Sequence, residues 1–312
     1  MLKGQFRRQL QMHLLIGSYE SHLYGLDTEF KLQFATSMHV GKVTAVAILK
    51  DKFASAGNDE NVKVYKNNKL LFTADMGGDV TELKFNKNHL LCAAGKILVI
   101  YDSDQIIKEL KHTEDIKSFS IHPTNTFLLS MTQTHLYLFD LIHGKKIVKE
   151  PLKKYLKASL FPFSIQFDAT GDYFYIVSDR HLLIFQTDDC KCINTFSSST
   201  IITSMSVNTN CTLGFDNGTI CIIDPLHQTI SMSSLFTTRV KGLAILNDTI
   251  TAVDCNGLVK QALLSSADIG TAEDTPLSCY QGVFNYSVYL FDYTVLNSYD
   301  LNCRVTCFAL NE

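Results

Sequence analysis

The chain has 312 residues, of which 46% are hydrophobic and 19% charged, and a net charge of −3. This composition excludes a disordered chain and the global positive field of a dedicated nucleic-acid-binding domain, and it allows one long all-β unit with a large core. The basic start, MLKGQFRRQLQMHLLIG, carries too short an apolar run for a signal peptide, and no run of about 18 apolar residues occurs elsewhere, so neither secretion nor a membrane helix is expected. The nine cysteines are scattered and lie mostly inside apolar runs, which fits reduced core thiols in a cytosolic or nuclear protein. Cys190 and Cys192 form the one close pair, without a second pair or a histidine at ligand spacing, so no zinc is expected.

In chain order, residues 1–13 read as an N-terminal extension, with Lys3, Arg7 and Arg8 adding positive charge. Residues 14–35, LLIGSYESHLYGLDTEFKLQFA, read as three strands. A recurring segment then begins: a branched apolar or aromatic residue, a small or polar pair, and an alternating apolar exit. Its copies are VTAVAI from Val43, VTELKF from Val80, IKSFSI from Ile116, PFSIQF from Pro162, ITSMSV from Ile202, VKGLAI from Val240 and VTCFAL from Val305. Their starts are spaced 37, 36, 46, 40, 38 and 65 residues apart, against the ~40–45 of a propeller blade. Each full copy continues into a second strand, a tight turn and a third strand, and the turn residues (Asn58-Asp59, Asp216-Asn217-Gly218, Asp254-Cys255-Asn256-Gly257) are those that tolerate positive φ. Third strands end on Tyr65, Tyr101, Phe139, Phe185 and Ile223, each followed by a polar residue. These pairs resemble the Trp-Asp dipeptide of WD repeats in a chain that has no tryptophan.

The last copy has two residues after it, whereas 14–35 has three strands and no first strand. Joining them predicts an all-β, seven-bladed WD-repeat β-propeller spanning 14–312, its ring closed by strand 305–310 pairing with the N-terminal blade, as the outermost partner in that sheet. Residues 265–285, SSADIGTAEDTPLSCYQGVFN, read as an inserted polar loop.

His39, Ser55, Asp59 and Tyr65 stand where WD repeats carry a His-Ser-Asp-aromatic hydrogen-bond chain. No G-x-S-x-G elbow accompanies them, so the trio reads as structural and no enzyme is expected. A later copy keeps His112 and Ser130 but has Gln133 near its turn. Asp168 and Asp172 bracket the turn DATGD and read as turn residues. Lys145, Lys146, Lys149, Lys153, Lys154 and Lys157 crowd into HGKKIVKEPLKKYLKA with Glu150 as the one acid, and read as a solvated blade-connecting loop, a contact for RNA phosphates or a contact for an acidic protein partner. No phosphate-binding loop appears, and no cofactor or small-molecule substrate is expected.

Gly17-x-Tyr19-Glu20 with Leu23-Tyr24-Gly25, Ala45-Val46-Ala47, and Ala56-Gly57-Asn58-Asp59-Glu60-x-Val62-x-Val64-Tyr65 carry a resemblance to the PAK-interacting, maintenance-of-killer group of WD-repeat proteins. It continues through Ser120-Ile121-His122-Pro123 with Leu128-Leu129-Ser130 and Leu136, and ends on Arg304-Val305-Thr306-Cys307. It implies a scaffold in large (60S) ribosomal subunit assembly, with pre-60S particle proteins and precursor rRNA as partners and a nucleolar or nuclear location. The alternative is a generic adaptor in signalling or ubiquitin-ligase complexes, including inhibition of a PAK-type kinase, in the cytoplasm. The chain departs from that group in lacking tryptophan and the long basic C-terminal tail, and in having the 265–285 insertion.

Overall fold

Short apolar segments punctuated by Gly, Asn and Asp leave a backbone that satisfies its hydrogen bonds sideways, and 30 strands result among the described residues. The computed structural model describes residues 12–87, 89–155, 161–224, 229–246, 249–265, 277–282, 287–290 and 292–311.

The first blade holds β1 (Leu14–Ser18), β2 (His22–Leu26) and β3 (Leu32–Ser37). The second holds β4 (Val43–Leu49), β5 (Lys52–Gly57), β6 (Asn61–Lys66) and β7 (Lys69–Asp75). The third is β8 (Val80–Asn86), β9 (His89–Ala94), β10 (Ile97–Asp102) and β11 (Gln105–Lys111). The fourth is β12 (Ile116–Ile121), β13 (Phe127–Thr132), β14 (His135–Asp140) and β15 (Lys145–Pro151). β16 (Pro162–Phe167), β17 (Tyr173–Ser178), β18 (His181–Gln186) and β19 (Lys191–Ser198) form the fifth. β20 (Ile202–Val207), β21 (Cys211–Phe215), β22 (Thr219–Asp224) and β23 (Thr229–Ser234) form the sixth. β24 (Val240–Leu246), β25 (Thr249–Asp254) and β26 (Leu258–Ser265) begin the seventh. The chain then runs through β27 (Leu277–Gly282), β28 (Ser287–Leu290), β29 (Asp292–Asp300), which completes the seventh blade, and β30 (Val305–Leu310).

The strands that open the copies neighbour one another round the axis in the order β4, β8, β12, β16, β20, β24, β30 and back to β4, so the chain is a closed seven-bladed β-propeller. β30 pairs antiparallel with β1 from Leu14↔Leu310 to Ser18↔Val305. It is the innermost strand of the first blade and not its outermost, because it occupies the place that a first strand holds in every other blade. Asn311 fastens the junction. Its amide donates to the Met12 carbonyl at 2.8 Å, and its side-chain oxygen accepts from the Lys50 backbone N–H at 2.8 Å. Met12 is itself buried, and His13 already donates its backbone N–H to Leu26.

The seven-copy pattern has a geometric meaning. In every innermost strand the second residue is skipped in the pairing with its neighbour, leaving Thr44, Thr81, Lys117, Phe163, Thr203, Lys241 and Thr306 as β-bulges. Such a bulge bends the strand and adds local twist where the blades crowd round the axis. The residues standing for tryptophan, Tyr65, Tyr101, Phe139, Phe185 and Ile223, are all buried between blades. Phe185 stacks on Phe174 with ring centroids 4.7 Å apart, so smaller aromatics in pairs fill the space that one indole would take.

The 265–285 segment is not wholly a loop. Residues 266–276 and 283–286 lie outside the described residues, but β27 within the segment adds a fifth strand antiparallel to β19, and β28, just after it, adds one parallel to β23. One insertion in the seventh blade therefore covers the outer edges of two others, which an apolar-to-polar reading of the segment could not show.

Candidate functional site

In the second blade, Gly57 ends β5 beneath the His39 ring. A Cβ there would lie 2.6 Å from His39 Cβ, so only glycine lets the imidazole close over the strand. His39 Nε2 then sits 2.8 Å from Ser55 Oγ and Nδ1 2.9 Å from Asp59 Oδ1. Burial holds the His39 pKa below its usual value despite Asp59. The Asp59 carboxyl is held below its own usual value because hydrogen bonds from His39 and from the backbone of Val40 and Asn61 outweigh its partial burial. A neutral imidazole that donates through Nδ1 to a charged Asp59 and accepts the Ser55 hydroxyl at Nε2 satisfies both shifts. Tyr65 is not the end of this chain: it stacks on Phe53 at 4.7 Å, and Phe53 on Phe34 at 5.6 Å. Three of the four residues thus form a structural clasp that pins a turn to a strand. Gly57→Ala is expected to destabilise the protein by about 1–3 kcal/mol through overpacking. A chemical-denaturation midpoint matching the wild type would show that His39 is not held there.

The fourth blade carries a variant of the clasp. His112 Nε2 approaches Ser130 Oγ at 2.6 Å, while Nδ1 donates to the Leu110 carbonyl at 3.1 Å, a backbone oxygen taking the place of the aspartate. Its loss of the acid, visible as Gln133, therefore leaves no buried ring nitrogen unsatisfied.

Round the channel, side chains of one innermost strand bond the backbone of the next. Phe119 N–H donates to Glu82 at 2.8 Å, Phe167 N–H to Ser120 at 3.0 Å, and Val207 N–H to Gln166 at 2.9 Å, while Thr203 Oγ1 donates to the Val240 carbonyl at 2.6 Å. These polar groups are consumed in joining blades. Asp168 accepts the Gly171 and Tyr173 N–H groups at 2.8 and 3.2 Å, which makes it a turn residue. Among the described residues no three His, Cys, Asp or Glu side chains are grouped to hold a metal. Burial raises the Cys190 and Cys192 thiols above their usual value, which disfavours the thiolate that a metal needs.

The lysine cluster lies on β15 and a short 3-10 turn, Leu152–Lys154, and not in a connecting loop. Lys146 and Lys149 share a face, their ammonium groups 5.8 and 5.6 Å from the centroid of the buried Tyr137 ring, and Lys149 donates to Thr113 Oγ1 at 3.4 Å. Lys145 and Lys153 are exposed at either end. Lys154 is neutralised by Glu150 at 2.5 Å, and Lys157, like Lys3, Arg7 and Arg8, lies outside the described residues. The fold adds Lys108 of β11, which reaches across the seam to donate to the Ile142 carbonyl at 2.7 Å. Its position on the outer strand of the preceding copy, equivalent to the Lys145–Pro151 strand, was the signal available in the sequence.

No protein-family model matches the chain. Shk1 kinase-binding protein 15 of Schizosaccharomyces pombe is 24% identical over 276 residues, covering 80% of this chain and 76% of its own length. That likeness and the seven blades support a WD-repeat propeller.

Proposed function

We propose that the chain is a non-catalytic scaffold of large ribosomal subunit assembly, binding pre-60S particle proteins in the nucleolus or nucleus and contacting precursor rRNA through Lys145, Lys146, Lys149 and Lys153. The observation that supports a scaffold is the use of Glu82, Ser120, Gln166 and Thr203 of the innermost strands in blade-to-blade bonds, which makes the ring a rigid frame for its rims and faces. The sequence resemblance supplies the process. Co-sedimentation of the tagged protein with large-subunit precursors on a gradient tests it, and migration free of them would reject it.

The rRNA contact has its own measurement. Replacing Lys146, Lys149 and Lys153 with Gln should lower the magnitude of the salt slope of RNA binding by about two units, at roughly 0.7 per single-strand phosphate contact, with little change in melting temperature. An unchanged slope would reduce the cluster to a solvated strand edge.

A second reading is a cytoplasmic adaptor that binds and restrains a PAK-type kinase, and the name of the Schizosaccharomyces pombe relative supports its kinase binding. Binding of a purified kinase of that class by the full chain, without ribosomal precursors, would favour it over the first.

A further inference from the structure

We infer that the rim groove between the second and third blades docks an extended segment of a partner protein that carries a large apolar side chain beside acidic residues. This surface lies on different blades from the β15 lysines and does not rest on the rRNA contact. The groove encloses about 250 Å³ and is walled by Val64, Leu71 and Phe72 of one blade and Phe85 and Leu90 of the next. That is below the ~300–1,000 Å³ usual for small-molecule sites and suits a bulky side chain or two. On the outermost strands, Leu71 of β7, in the groove wall, and Ile106 of β11, opposite the Tyr101 of the cluster between these two blades, are each 53% exposed. Exposed aliphatic side chains beside an apolar groove are wetted by water at a cost until something covers them.

Charge selects the occupant. Lys52 stands opposite Lys66, and Lys66 opposite Lys69, so three ammonium groups line one end of β5, β6 and β7. Like charges directly opposed across strands destabilise a sheet, and the carboxylate paired with this row is Asp51, 3.8 Å from Lys66. Asp104 is the acid in the groove's own lining. Positive charge therefore predominates beside the apolar floor, and acidic groups on the occupant would relieve it. An extended segment is favoured because β7 and β11 end their sheets, whereas the corresponding β19 and β23 each carry a fifth strand from the insertion. Rim edges of this protein accept added strands, with backbone bonds giving affinity and the groove giving specificity.

A random peptide library displayed on phage and selected on the immobilised full chain tests this. The expected winners combine a bulky apolar residue with Asp or Glu nearby, and their affinity falls about tenfold or more with Leu71→Asp and with Lys52→Glu/Lys69→Glu, which place repulsive charge at the groove. A winner resynthesised with its acids changed to lysine should bind the double variant and not the wild type. Leu71 and Lys69 are exposed, and matching melting curves exclude unfolding as the cause. Winners without acids, winners indifferent to Leu71→Asp, or a wild-type dimer in sedimentation velocity that Leu71→Asp disperses would each overturn the proposal, the last in favour of a second copy as occupant.

Discussion

Removal of residues 304–312 is expected to leave a chain that aggregates or melts without a cooperative transition. β30 is an innermost strand, so its loss opens the ring on both sides at once: β1 loses a partner along its length, and β24 and β4 lose the neighbour that joins them. Val305, buried, leaves a core cluster with Leu14, Ile16, Val253 and Val259, and Phe308 leaves the close seat over Gly242, where even a Cβ would lie 2.5 Å from it. The backbone groups of β1 then lie unpaired among apolar residues, each costing roughly 1–3 kcal/mol. Several such losses match the whole ~5–15 kcal/mol stability of a domain. Light scattering and a thermal scan measure the outcome. A soluble truncated chain with one sharp transition near the wild-type temperature would show that six blades and a remnant hold without closure, and a synthetic 303–312 peptide that restores the transition would localise the effect to this strand.

Acid should unfold the protein over the range set by its buried imidazoles. His112 is pushed down to about 4 by burial, helped by the nearby Lys146 and opposed by its bonds to the Leu110 and Lys96 backbone; His39 and His13 shift downward too, also through burial. A histidine with a depressed folded pKa binds fewer protons in the native state than in the unfolded chain. Its contribution is complete above the unfolded value of about 6.5 and is lost as pH falls towards 4. For His112 that loss is about 3 kcal/mol, on the order of 1.4 kcal/mol for each pH unit of difference. Denaturation midpoints taken from pH 7 to pH 4 should therefore fall more steeply for the wild type than for His112→Gln, which cannot titrate. Equal slopes would mean that His112 opens to water before it is protonated. At neutral pH the variant tests a different thing, since its amide must replace both the acceptor for Ser130 and the donor to Leu110.

The repeat, the turn residues, the seven blades and the joining of the two ends were legible in the amino-acid order, because alternation, bulge and turn chemistry are properties of a few successive residues. The clasp of His39, Ser55 and Asp59 was legible for the same reason, as residues fixed at their places within one copy. What depended on pairing between distant strands was not. The innermost place of β30, the two rim strands from the insertion, the Leu110 carbonyl in place of an aspartate, and the diversion of Tyr65 into a ring stack follow from register and blade packing, which separate residues close in sequence and join remote ones. The lysines divide on the same ground. Of the six neighbours in the chain, the five among the described residues become Lys146 and Lys149 over one tyrosine, Lys154 held by Glu150, and the exposed Lys145 and Lys153, whereas Lys52, Lys66 and Lys69, spread over 18 residues, become a single row because antiparallel strands bring their ends into line.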